Sequence, residues 1–307
     1  MVLKRDPRYV ARAISAVENG EPGSHHLLQS LYKHTGQAHR IGVTGPPGAG
    51  KSTITNKLAR HYRAKNLRVG IIAVDPTSPF TGGALLGDRV RMTDVELDGQ
   101  VFIRSMASRG SLGGLSRKAK EAADVLDAAG FEIVLMETVG VGQSELDIAR
   151  AADTTIVVLV PESGDGIQAM KAGLMEIADF FVLNKADRPG ADQAVMSIKL
   201  ILGFRPHDES TWLSDVIMTQ ANEGKGIEEV AACIERHRLF LERGGLEQRR
   251  RARLQSRVRE IVEDQLNTDF WNQTRSDILE KKIEQVVVRE VSPYELADEL
   301  ITDFKNL

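Results

Sequence analysis

The chain has 307 residues, 42% hydrophobic and 27% charged, with a formal net charge of −3. That length holds one large α/β domain with helical extensions, or two domains. The charge excludes a general attraction to nucleic acid or anionic lipid, and no apolar run has the length of a bilayer span.

The single cysteine, Cys233, has no internal disulfide partner and suits a reducing compartment. Its apolar helical surroundings make it a small core residue. The first residues, Met1 to Asp6, carry no secretory apolar segment. A cytoplasmic bacterial protein is the expectation; a processed chain of the mitochondrial matrix would look the same.

Asp6 before Pro7 predicts a helix start, with aspartate as cap and proline at the first helical position. Val10, Ala13, Ile14 and Val17 form its apolar stripe, and Gly20 ends it. Ser24 opens a second helix through Leu27, Leu28 and Leu31, closed by Gly36. His25 and His26 point to different faces of that helix, so they form no metal pair. Residues 1–39 are thus a helical extension, too small to be a domain, that packs on the larger domain C-terminal to it.

Next comes Gly45-Pro46-Pro47-Gly48-Ala49-Gly50-Lys51-Ser52, which fits the phosphate-loop pattern. Glycines let successive backbone N–H groups turn onto a phosphate, because no Cβ blocks the approach. Lys51 supplies a point charge to the β- and γ-phosphates, and the Ser52 hydroxyl is a Mg2+ ligand. A β-type run at 40–44 precedes the loop. A helix over 51–65, with Thr53 in its first turn, comes after it and aims its positive end at the same anion. From 40 to 244 strand and helix alternate, with β-branched runs at 69–74, 101–106, 133–136, 154–160, 180–183 and 216–218. Runs such as 154–160 have no polar alternation, which places them inside a sheet covered on both faces. The fold class is a three-layer α/β sandwich with a mostly parallel sheet and a nucleotide at the C-terminal strand edge.

From 245 to 307 the pattern is helical. Leu254, Val258, Ile261, Val262 and Leu266 make one stripe; Ile278, Leu279, Ile283 and Val286 make another. Ser292-Pro293-Tyr294-Glu295 is a capping box. These stripes need a partner surface, either the core domain or a second copy of the chain. Six arginines between Arg249 and Arg259 are flanked by Glu247, Glu260 and Glu263 and lack an aromatic platform. They predict a solvated helix face, not a nucleic-acid or membrane site.

Asn184-Lys185-Ala186-Asp187 comes directly after the 180–183 strand. The Asp187 carboxylate only accepts hydrogen bonds, which suits the N1–H and exocyclic N2 donors of guanine and nothing on the same edge of adenine. Asn184 can tie this loop to the phosphate side, and the Lys185 stem can cover the base. GTP is the expected substrate, with Gln220, Ala221 and Asn222 flanking the purine and no tightly bound organic cofactor. Two glycine-rich segments, 74–88 and 137–145, suit loops that respond to a γ-phosphate. Asp75, Asp88 and Glu137 are the candidate carboxylates for Mg2+ beside Ser52, and Gly140 or Gly142 are candidate donors to the γ-phosphate.

Asp75-Pro-Thr-Ser-Pro-Phe-Thr-Gly-Gly83, Arg109-Gly-Ser-Leu-Gly-Gly-Leu115 and Glu137-Thr-Val-Gly-Val-Gly-Gln-Ser-Glu145 together resemble the MeaB/ArgK/MMAA GTPases. The resemblance runs from the N-terminal helices into the helical tail. It implies a GTPase chaperone of an adenosylcobalamin-dependent acyl-CoA mutase, above all methylmalonyl-CoA mutase. It also implies a homodimer through the C-terminal arm, a cobalamin adenosyltransferase as a further partner, and slow hydrolysis that the client accelerates. By the same resemblance Gln168 and Lys171, in the segment 161–171, move toward the nucleotide when the client is engaged, joining Lys51 and Glu137 in catalysis.

Two other readings compete. A GTPase delivering nickel to an enzyme would need a cysteine- or histidine-rich metal site, which one cysteine and scattered histidines do not supply. An ArgK-type transport kinase or ATPase would prefer ATP, against the chemistry of Asp187.

Overall fold

The computed structural model describes residues 2–75, 98–107, 112–138, 144–161, 173–204 and 211–305. Contacts divide the chain into two compact units, Met1–Glu247 and Gln248–Leu307. The first is built on strands β1 (His39–Thr44), β2 (Val69–Asp75), β3 (Val101–Ala107), β4 (Ile133–Glu137), β5 (Thr154–Leu159), β6 (Phe180–Asn184) and β7 (Val216–Thr219). They form one sheet in the order β3-β2-β4-β1-β5-β6-β7, with every pair parallel. The α/β class and sheet predicted from the apolar runs are those observed.

β1, β4, β5 and β6 are buried along their whole length, as strands covered on both faces must be. Alternation divides their side chains between two layers. Ile41, Val43, Ile156, Val158 and Phe180 meet Ile54 and Leu58 of the Lys51–Ala64 helix and Val230 and Ile234 of the Ile227–Phe240 helix. Ile72, Val74, Val134 and Met136 meet Ala119, Ala122 and Leu126 of the Leu112–Ala128 helix on the other side. Fully burying one such side chain contributes about 1.5–3 kcal/mol. Cys233 is buried in the first layer, with its thiol pushed up by that burial.

The Pro7–Asn19 helix has Asp6 as its cap, accepting from Arg8 N at 2.9 Å, and ends at Gly20 in the left-handed region. Its buried stripe, Val10, Ala13, Ile14 and Val17, enters the core of the Leu112–Ala128 layer. Arg104 of β3 also holds Glu18 of this helix. The second helix, Ser24–Tyr32, stops four residues before Gly36, earlier than the sequence predicts. The cause is Asp127, whose carboxylate accepts from Gly36 N at 2.8 Å, Gln37 N at 3.1 Å and Ala38 N at 3.0 Å and so draws the chain out of the helix.

Asp127 is 2% exposed and also accepts from Arg40 Nη2 at 3.3 Å. Burial works against the Arg40 charge, but Asp124, Asp127 and Asp153 outweigh it and hold the guanidinium above its ordinary value. Replacing Asp127 with alanine strands three backbone donors and weakens the neutralisation of a buried cation. We expect a loss of about 3–5 kcal/mol, seen as a melting point lower by on the order of 10 °C. A melting curve matching the parent would show that these bonds are replaced by water at no cost.

In the second unit, Arg275 is 2% exposed and lies against the edge-to-face pair Phe270 and Phe304, 5.4 and 5.0 Å from their centroids. It donates to Phe270 O at 2.6 Å and to Asp303 at 3.2 Å. The predicted capping box forms: Glu295 N donates to Ser292 Oγ at 3.1 Å and Ser292 N to Glu295 at 2.7 Å. The long Leu246–Phe270 helix buries no residue among those described, and Leu254, Val258, Val262 and Leu266 are exposed on it.

Candidate functional site: a cleft at the C-terminal strand edge

β1 lies at the centre of the sheet, between β4 and β5, where the strand order reverses. Ligands of open α/β sheets bind at that switch point, and the loop leaving β1 is the glycine-rich one. Gly45 has φ 133, and a Cβ there would lie 2.1 Å from the Val158 carbonyl oxygen. Gly50 has φ 92, and its Cβ would lie 2.2 Å from Asn184 Nδ2. Only glycine lets the loop pass this close to β5 and β6. Gly50 then caps the Lys51–Ala64 helix without a side-chain hydrogen bond. The first N–H groups of that helix have no intrahelical acceptor, so they are donors available to an anion.

The loop borders a cleft of about 460 Å³. One wall is Pro47, Gly48, Gly50, Lys51, Ser52 and Thr53; the others are Ala73, Val74, Glu137, Thr138, Asn184, Lys185, Asp187, Gln220, Ala221, Asn222 and Glu223. Gly45, Pro46 and Ala49 of the predicted set lie behind the wall and shape the loop. Lys51 is 6% exposed, and its Nζ donates to Gly45 O at 2.8 Å and Pro46 O at 2.9 Å. The ammonium is therefore laid along the loop by the loop's own carbonyls. Ser52 Oγ donates to Glu137 Oε1 at 2.5 Å, joining the helix start to the end of β4.

Beside the glycine-rich loop, Asn184 uses both the nitrogen and the oxygen of its amide. Its Nδ2 donates to Ala49 O at 2.8 Å, and its Oδ1 accepts from Thr219 Oγ1 at 3.0 Å and Ala221 N at 3.1 Å. Lys185 comes next with a left-handed φ of 58, and Ala186 N donates to Thr219 O at 3.0 Å. These bonds align the loops after β6 and β7 and leave the Asp187 carboxylate exposed at the cleft. Gln220 pairs with Lys225 across a tight turn. The Lys225 ammonium is held above its ordinary value first by its hydrogen bond to Glu223, 2.6 Å away, then by the charges of Glu223 and Asp187.

Asp75 ends β2, with its backbone paired to Ala107. Asp88, Gly140, Gly142, Gln168 and Lys171 lie outside the described residues. Two wall residues, Ala73 and Glu223, were not indicated by the sequence. Val74 and Thr138 fall within the segments 74–88 and 137–145 expected to respond to a γ-phosphate, although neither stood out as a site residue there.

The glycine-rich loop, the acidic strand end and the Asn-Lys-Ala-Asp loop therefore share one cleft. Residues 10–275 match the family described as Methylmalonyl Co-A mutase-associated GTPase MeaB. The chain belongs to the MeaB family. A putative GTPase of Pyrococcus abyssi is 46% identical over 303 residues, 98% of this chain and 94% of the relative. The mouse protein named methylmalonic aciduria type A homolog, mitochondrial, is 34% identical over 279 residues, 87% of this chain and 66% of that one. Among solved structures, one titled LAO/AO transport system kinase superposes with a TM-score of 0.74 at 29% identity, covering 100% of this chain and 95% of its own. As a MeaB family member the chain is a GTPase by descent, with GTP as the implied substrate. No helix among the described residues is long and apolar enough to cross a membrane.

Proposed function

We propose that this chain is a GTP-hydrolysing chaperone that gates adenosylcobalamin loading onto an acyl-CoA mutase, and protects it, with methylmalonyl-CoA mutase as the client. The observation that carries the nucleotide half is the Asn184 amide, which joins the loop before Lys51 at Ala49 to the Ala221 backbone on the cleft wall that also holds Asp187. One ligand with phosphates at one end and guanine at the other fits that span. The mutase half is supported by the family description and by the name of the mouse relative.

In this reading the Gly45–Gly50 backbone, Lys51 and the first turn with Ser52 and Thr53 hold the phosphates. Asp187 accepts from guanine, Lys185 covers its face, and Gln220, Ala221 and Asn222 flank it. Ser52 and Glu137 present two oxygens 2.5 Å apart on the cleft wall, the donor chemistry a hard divalent cation takes. These two would hold Mg2+, with Asp75 and Asp88 as further candidate partners. Bound there, Mg2+ would neutralise charge on the phosphates. Lys51 supplies fixed positive charge to the γ-phosphoryl group as water attacks it, and Glu137 orients water; positioning and charge do the rest. Gln168 and Lys171 approach only when the client is engaged, so the free chain hydrolyses slowly. The exposed stripe Leu254, Val258, Val262 and Leu266 supports a homodimer. A cobalamin adenosyltransferase is the further partner the family suggests.

The test is capture of an adenosylcobalamin-dependent mutase on the immobilised chain with GDP, GTP or a non-hydrolysable analogue, together with the hydrolysis rate. We expect retention to depend on the nucleotide and the mutase to speed hydrolysis by at least about tenfold, roughly 1.4 kcal/mol of barrier. Equal retention in every state, with an unchanged rate, would overturn the chaperone role.

A further inference from the structure

Two threonine hydroxyls meet beneath the phosphate loop. Thr44 ends β1 directly before Gly45, and Thr138 comes after Glu137 at the end of β4. Their oxygens are 2.9 Å apart. Thr44 is fully buried, Thr138 is 1% exposed, and Thr138 N donates to Val43 O at 3.1 Å. Thr138 lines the cleft next to Glu137.

A hydroxyl has one hydrogen to give. Among the described residues, each of these hydroxyls has the other as its hydrogen-bond partner and no second one. Were Thr138 the donor, the Thr44 hydrogen would be buried without an acceptor and would carry its full desolvation cost. The cheaper arrangement has Thr44 donating and Thr138 accepting. The Thr138 hydrogen is then left over, on a residue that lines the cleft beside the Glu137 carboxylate.

On the strength of the nucleotide reading above, we propose that Thr138 donates this hydrogen to the terminal phosphoryl group of the bound triphosphate, and that Thr44 is the positioning residue that aims it. Thr44 reaches no ligand itself; it acts only by occupying one lone pair of the Thr138 oxygen and fixing the rotor. A donor at the γ-phosphoryl end acts on the transfer step and leaves diphosphate binding almost untouched.

The experiment is single-turnover GTP hydrolysis, with GDP affinity by calorimetry, on Thr44→Val, Thr138→Val, the double variant, and Thr44→Ser and Thr138→Ser. Each valine variant should slow hydrolysis about tenfold while GDP affinity stays within about twofold. The double variant should be no slower than Thr138→Val alone, because Thr44 works only through Thr138. Both serine variants should keep the parent rate. Valine variants that hydrolyse at the parent rate but melt earlier would show a merely structural pair and overturn the proposal, as would a double variant whose loss is the product of the two singles. If a valine variant does not fold, Thr44→Cys, similar in size but a weak donor, must show the same loss for the proposal to stand. A parent chain that binds no guanine nucleotide would sink the nucleotide reading itself; a parent that hydrolyses GTP while the variants match it sinks only the threonine pair.

Discussion

Asp187→Asn should turn a guanine site into a xanthine site. The carboxylate offers two acceptors to the N1–H and N2 donors of guanine, and asparagine exchanges one acceptor for a donor. Xanthine carries an oxygen where guanine has the amine, so the new donor is matched there and opposed in GTP. A hydrogen bond to a charged group contributes about 1.5–3 kcal/mol, so GTP affinity should fall by roughly a hundredfold and XTP affinity rise by a similar factor. Among the described residues Asp187 makes no hydrogen bond within the protein and lies exposed, so the exchange leaves the fold intact. Calorimetry with GTP, XTP and ATP reads it directly. Unchanged GTP binding would mean that the base is read elsewhere.

Lys51→Met should cut GTP hydrolysis by at least about a thousandfold, roughly 4 kcal/mol of barrier. The reason lies in how the ammonium is held. Gly45 O and Pro46 O take two of its hydrogens, and burial leaves it little freedom. Such a charge needs little reorganisation as negative charge shifts on the phosphoryl oxygens, the condition under which electrostatic stabilisation is strongest. Methionine keeps the length and loses the charge. GDP binding should suffer far less, because the backbone donors of the loop and the helix start remain. Single-turnover kinetics at saturating GTP decides it, and a rate within tenfold of the parent would contradict the role.

Local, contiguous signals were the legible ones. The seven strands stood out because short runs rich in β-branched residues have few other uses, and the Asp6 and Ser292 caps because cap chemistry spans only a few residues. The phosphate loop and the Asn-Lys-Ala-Asp loop were legible for the same reason, and the fold places them on one cleft. Long-range polar contacts were hidden. Asp127 looks like one more polar residue on a helix, yet it halts a helix some 90 residues earlier in the chain. His39, Thr154, His237 and Asp179 form a buried chain with steps of 3.0, 2.8 and 3.3 Å, and no periodicity announces it, because its members come from separate parts of the chain. The Leu112–Ala128 helix also contains Gly113 and Gly114 in its first turn, which lower the helical signal without preventing the helix.

The amide of Asn184 has a consequence beyond holding two loops in place. It gives a hydrogen to one neighbour and receives from two others, a two-sided chemistry that aspartate and leucine lack and that serine is too short to spread over the same three neighbours. The coupling is therefore local to one residue: a replacement that shifted this side chain would loosen the turn at Ala49 and the backbone at Ala221 together, whereas Asp187, which has no such tie among the described residues, can be exchanged without disturbing the glycine-rich turn.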